Sequence, residues 1–291
     1  MSGYRQQPGC RDVNSVENRS LLQLRDVRKV FARGTVDEVT ALNGVNLDVY
    51  AEDFVTVIGS NGAGKSTMLN IISGVYPPEL GGNVIIAGKD ITMLSEHKRA
   101  AHVSRVYQDP EMGTSPRLTI EENLSLALLR GQSRGLRKAV NEKRRESFRL
   151  ALAPLGLGLE DRLTAPVGTL SGGQRQGLAL VMATISKPSL LLLDEHIATL
   201  DPKAGQTVLG LTTMIVEREK MTTLMVTHDM ALALRYGNRL IMMHKGKIIL
   251  DLNQEQKSGL TVSDLVNWFE QVSGESFADD SMLLRAKLNN T

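Results

Sequence analysis

The sequence predicts an α/β fold with a buried parallel sheet at its centre, and three stretches predict it. Phe54-Val55-Thr56-Val57-Ile58 is a short β-branched run followed by a glycine-rich loop and then an apolar helical face at Met68, Leu69, Ile71 and Ile72. Ser189-Leu190-Leu191-Leu192-Leu193 is continuous aliphatic text, as a parallel strand covered on both faces requires. Thr222 to Val226 is a further strand, separated from the second by a long helical pattern.

The loop after the first of these strands organises the chain. Gly59-Ser60-Asn61-Gly62-Ala63-Gly64-Lys65-Ser66-Thr67 satisfies the phosphate-loop spacing in full. Glycines allow the backbone to wrap an anion closely, and successive N–H groups at a helix start converge on it. Lys65 brings a point charge to terminal phosphates, and Ser66 is placed to ligate Mg²⁺.

Composition bounds the rest. The 291 residues suffice for one large domain or two small ones, and 42% apolar content supports a sizeable core. With 4% aromatics that core is mostly aliphatic. A formal net charge of +2 argues against non-specific nucleic-acid binding. The lone Cys10 leaves no internal disulfide and fits a reducing compartment. No apolar run is long enough to span a bilayer, so the expectation is a soluble, intracellular chain whose membrane role comes through a partner. Residues 1–20 are polar, lack an apolar signal region and read as a loose tail.

In chain order, Leu22 to Phe31 and Val39 to Tyr50 alternate as strands, the first with room for a bulge. Phe31 fits either of two roles, stacking on an adenine ring or serving as a core or rim aromatic. Pro77-Pro78 and Gly81-Gly82 mark a turn-rich break. Val84 to Ala87 and Val103 to Tyr107 read as strands with a helix near Ser95 to Ala101 between them. Gln108 ends the second, where an amide can reach a metal or a water.

Residues 109–169 then look like a mostly helical insert: Ile120 to Arg130 has helical spacing, Gly131, Ser133 and Gly135 make a joint, and Arg137 to Leu152 is highly charged. Because acids interleave with the bases and no aromatics do, that run reads as a solvated helix face rather than a nucleic-acid stripe. Next comes Leu170 and then Ser171-Gly172-Gly173-Gln174. Ser171 is a good N-cap, and a glycine pair in the first turn is poor for helix stability, so a second anion site explains it better than packing does.

The strand at 189–193 delivers Asp194 and Glu195 at its carboxyl end, where open α/β sheets place ligands. There Asp194 would hold Mg²⁺ and Glu195 would polarise the attacking water. Pro202 starts a helix reaching about Glu219, and the strand at 222–226 leads to His228, a candidate contact for a γ-phosphate. Arg239 to His244 and Lys247 to Asp251 form a hairpin, and an amphipathic helix from Val262 to Val272 docks on the core.

The phosphate loop, Gln108, the LSGGQ stretch, the LLLLDE stretch and His228 stand in the order found in the ATP-binding subunit of ABC transporters, which this chain resembles over about residues 22–251. The resemblance implies an α/β P-loop NTPase cassette with a RecA-like core, an N-terminal antiparallel β-subdomain and an inserted α-helical subdomain. It places the cassette at residues 21–255 and a C-terminal helical extension at 256–291. It implies ATP and Mg²⁺ as ligands, with Ser66, Gln108 and Asp194 at the metal, Phe31 as the adenine-side aromatic, Glu195 as general base, His228 as switch histidine and Ala198 to Asp201 as the loop between sites. It implies two copies head to tail, with Ser171-Gly172-Gly173-Gln174 of one copy capping the nucleotide of the other. Membrane permease subunits would meet the segment around Gln108 to Asn123, at the cytoplasmic face of the cell membrane.

The family usually has Pro-Thr after the catalytic glutamate, and here His196-Ile197 stands there. Spacing to Asp201 is kept, so hydrolysis is expected to survive. The wording of QDPEMGTSPRLTIEENL and DEHIATLDP is similar to importers that work with a solute-binding lipoprotein, some for aromatic amino acids. A ribosome-acting relative would carry two cassettes, and a chromosome ATPase a coiled coil or zinc modules; neither is written here. An exporter subunit remains a rival that the cassette does not exclude.

Overall fold

The computed structural model describes residues 20–132 and 139–273. Cys10, the expected tail before Ser20, the joint residues Ser133 and Gly135 and the segment after Ser273 lie outside the described residues.

Two sheets form the frame. The first is antiparallel, in the order β2 (Val39–Tyr50), β1 (Ser20–Phe31), β4 (Asn83–Ile86), β5 (Lys89–Asp90). The bulge in β1 falls at Asp26, whose φ of 44° is left-handed, and the β1–β2 register shifts on both sides of Val27. The second sheet runs β10 (Lys247–Asn253), β9 (Arg239–His244), β3 (Phe54–Gly59), β8 (Thr222–Val226), β7 (Leu190–Asp194), β6 (Val103–Val106). All its pairings are parallel except β9 with β10, the predicted hairpin. Every residue of β3 and β8 is buried, which is why both are apolar apart from threonines and show no polar alternation.

Helix α1 (Lys65–Ser73) follows the loop and packs its Met68, Leu69, Ile71 and Ile72 between the two sheets. Its carboxyl end is pinned by Arg99, 1% exposed, at the end of α2 (Glu96–Arg99). The guanidinium donates to the last-turn carbonyls of Ile71 at 2.6 Å and Ile72 at 3.0 Å, where a helix terminus runs short of donors, and to the Thr92 carbonyl at 2.6 Å. Burial holds the Arg99 pKa below its ordinary value.

Between β6 and β7 the chain forms α3 (Ile120–Leu128), α4 (Glu142–Leu152) and α5 (Gly172–Thr184), with short 3-10 turns before α3 and between α4 and α5. Phe148 and Leu152 are the buried face of α4, and its arginines pair with acids, Arg145 with Glu121 and Glu142, Arg149 with Glu142 and Glu146. The charged run is therefore a salt-bridged outer face. Helix α6 (Pro202–Arg218) packs on α5, and α7 (Met230–Arg235) follows β8. Neither α7 nor α8 (Gln254–Lys257) is predicted by the sequence reading; both are short, and length is the main signal of a helix. Helix α9 (Val262–Ser273) docks as expected, with Leu265 and Phe269 buried against Met230, Ala233, Leu240 and Met242.

Candidate functional site

The sheet order sets the site. β3, β8, β7 and β6 are adjacent and parallel, so the phosphate loop, Thr227-His228, Asp194-Glu195 and Tyr107-Gln108 emerge side by side from their carboxyl ends. Register makes this concrete: Val57 pairs with Val226, Val226 with Asp194, and Val106 with Leu193.

In the loop two glycines are obligatory. A Cβ at Gly59 would meet the Met243 carbonyl oxygen at 2.2 Å, and one at Gly64 would meet that of Ala41 at 2.4 Å. Gly64, with φ 99°, is the N-cap of α1 and supplies no side chain to cap the first turn, which also holds no acid. By contrast α3, α5, α6 and α7 each carry a side-chain cap, from Thr119, Ser171, Asp201 and Asp229. The start of α1 thus carries no side-chain cap and no acid, the arrangement of a helix start suited to an anion. Lys65 is 6% exposed, and its Nζ donates to the carbonyls of Gly59 at 2.6 Å and Ser60 at 3.1 Å, curling the ammonium back into the loop. Ala63 is buried, while Asn61, Gly62 and Ser66 are exposed and Thr67 is half-buried.

Beside the loop, Glu195 has a left-handed φ of 45°, uncommon for a residue with a Cβ and of a kind found where function constrains the backbone. Its N–H donates to the Val226 carbonyl, and its Oε2 lies 3.3 Å from Nδ1 of His228. Asp194 forms an ion pair with Arg105 of β6, whose other nitrogen donates to Asn70 of α1. Sequence reasoning missed Arg105; the signal was a charged residue inside a short, largely buried strand. Ser66, Gln108 and Asp194 supply a hydroxyl, an amide and a carboxylate, and hard oxygen donors of this kind suit Mg²⁺. Gln108 is exposed, and its backbone carbonyl accepts from Thr199 Oγ1 at 3.3 Å, joining this loop to the 198–201 segment.

His196 is 1% exposed and its Nε2 stands 3.0 Å from Thr212 Oγ1, which donates in turn to the Val208 carbonyl. Burial pushes its pKa down to about 4. A neutral imidazole thus ties the segment after Glu195 to α6, where the family usually has proline.

Two predicted groups stand apart. Phe31, half-buried at the end of β1, meets Tyr76 edge-on with ring centroids 5.4 Å apart, a contact that leaves a ring face for stacking and a partner the sequence does not announce. Ser171, Gly172, Gly173 and Gln174 start α5 with a full capping box, and their neighbours are Leu157, Leu200 and Ala204 rather than their own chain's phosphate loop. Packing adds a second reason for one of the two glycines. A Cβ at Gly173 would come within 3.1 Å of the Ala204 Cβ, so close helix packing also asks for a small residue there.

Fold and site define an ATP-binding cassette, an ATPase. The family model described as ABC transporter matches residues 42–198. The tyrosine transport ATP-binding protein of Clostridioides difficile is 45% identical over 250 residues, covering 86% of this chain and 99% of that one. The lipoprotein-releasing system ATP-binding protein LolD of Hahella chejuensis is 36% identical over 220 residues, 74% of this chain and 90% of that one. Spermidine/putrescine import ATP-binding protein PotA of Haemophilus influenzae is 31% identical, and this chain spans 59% of its length. A solved dimeric ATP-binding cassette in a post-hydrolysis state with ADP and Pi is 31% identical, with TM-score 0.68 over 80% of this chain and 98% of that one. The chain belongs to the ABC transporter family. No helix among the described residues is long and apolar enough to cross a membrane.

Proposed function

We propose that this chain is the ATP-hydrolysing subunit of an importer, energising uptake of an amino acid through partner permease subunits at the cytoplasmic face of the cell membrane. The observation that carries the hydrolytic reading is the contiguous row of strand ends bearing Lys65, His228, Glu195 and Asp194. Backbone N–H groups of Gly59 to Gly64 and the bare start of α1 bind the phosphates of ATP. Lys65 exchanges the two loop carbonyls for the β- and γ-phosphates. Glu195 accepts a proton from the water whose oxygen attacks the γ-phosphorus, releasing ADP and phosphate, and His228 holds Glu195 in place. Ser66, Gln108 and Asp194 would hold Mg²⁺, which when bound neutralises phosphate charge. Phe31 stacks on the adenine, and Ser171-Gly172-Gly173-Gln174 of a second copy caps the nucleotide.

The cargo assignment draws on the likeness to the tyrosine transport protein, and a solute-binding lipoprotein would deliver the cargo from outside. The test is co-purification of the intact complex and reconstitution into liposomes with labelled aromatic amino acids. ATP-dependent movement from the receptor-facing side to the nucleotide-facing side is expected. Movement in the opposite direction would favour the exporter reading, to which the likeness to LolD lends support.

A further inference from the structure

We propose that Arg105 is a positioning residue that fixes the spacing between the two halves of the metal site, Ser66 on α1 and Asp194 on β7. This rests on the reading of Ser66 and Asp194 as holders of Mg²⁺. The guanidinium is nearly sealed from solvent, with its side chain 8% exposed and that of Asp194 13% exposed. One terminal nitrogen pairs with Asp194 Oδ2, and the other donates to Asn70 Oδ1 at 2.5 Å. Asn70 and Ser66 are four residues apart on α1, so they lie on one helix face, one turn from each other. The planar fork of arginine therefore spans from the face of α1 that carries Ser66 to the acid at the end of β7. Its Cζ also sits 4.8 Å from the Tyr107 ring centroid, adjoining Gln108.

A cation in contact with a metal-holding carboxylate has two separable effects. It orients the carboxylate, which favours turnover, and it repels Mg²⁺, which weakens metal affinity. Removing the charge should move the two readouts in opposite senses, as a merely structural residue would not.

The test follows binding of a fluorescent ATP analogue as Mg²⁺ is titrated, alongside kcat and KM. Arg105→Met is expected to lower the Mg²⁺ midpoint severalfold while kcat falls about tenfold with little change in KM. Arg105→Lys should restore the midpoint but only part of kcat, since an ammonium cannot bridge both partners. Asn70→Ala keeps the charge and cuts the bridge; it should lower kcat with the midpoint unchanged, and it decides the matter should Arg105→Met fail to fold. If wild-type binding ignores Mg²⁺, the reading of Ser66 and Asp194 fails and takes this one with it. If wild type requires Mg²⁺ and a folded Arg105→Met shows the same midpoint, or Asn70→Ala keeps wild-type kcat, the Arg105 inference alone is overturned.

Discussion

His228 Nδ1 lies 3.3 Å from Glu195 Oε2, across two neighbouring parallel strands. The contact holds a carboxylate whose backbone is already left-handed, so the proposed base and the proposed switch residue form a single unit. Glu195→Gln should bind ATP normally and lose turnover by at least about a thousandfold, whereas His228→Ala should bind ATP and lose somewhat less. Single-turnover hydrolysis of labelled ATP measures both. Wild-type-like turnover in Glu195→Gln would remove it from the role of base.

Lys65 is predicted to act on binding more than on folding. Its ammonium bonds loop carbonyls, yet the α1 core is set by Met68, Leu69, Ile71 and Ile72. Lys65→Ala should weaken ATP affinity about tenfold or more while leaving the thermal midpoint within a few degrees of wild type. Calorimetric titration and melting of one sample check the pair.

His196 gives the protein a pH dependence that a proline at this place would not. Its folded pKa is about 4 against an ordinary 6.5, so the unfolded chain takes up a proton that the folded chain refuses. The stability is fully present above pH 6.5 and is lost as pH falls toward 4. At pH 5 the loss from this group is about 2 kcal/mol. His196→Gln, which keeps a donor for Thr212, should flatten the difference in urea midpoints between pH 7 and pH 5.

Phe269 tests the docking of α9. It is 3% exposed and meets His244 edge-on at 5.0 Å. Phe269→Ala should cost about 3 kcal/mol in equilibrium unfolding. A change near zero would show that α9 contributes no stability to the core.

Much of this was legible in the residues because the chemistry constrains them locally. The phosphate loop, the strand bearing Asp194 and Glu195, and the capping serine at 171 each announce themselves within a few positions. Paired functions made by distant residues were not legible. Arg105 reaches Asp194 across 89 positions, Tyr76 meets Phe31 through a fold-back of the chain, and Arg99 caps α1 from another helix. No local pattern encodes such meetings; the sheet order creates them. Gly173 was read for its chemistry alone because Ala204, the neighbour that crowds it, lies on a different helix.

The account as a whole turns on a nucleotide shared between two copies, bound by the phosphate loop of one and the start of α5 of the other. Light scattering of Glu195→Gln with ATP and Mg²⁺, alone and with its permease, tests this most directly. The account predicts a dimer that forms with ATP, dissociates when ATP is withdrawn, and is abolished by Ser171→Arg at the capping surface. A strictly monomeric protein under all these conditions, or a dimer indifferent to Ser171→Arg, would contradict it.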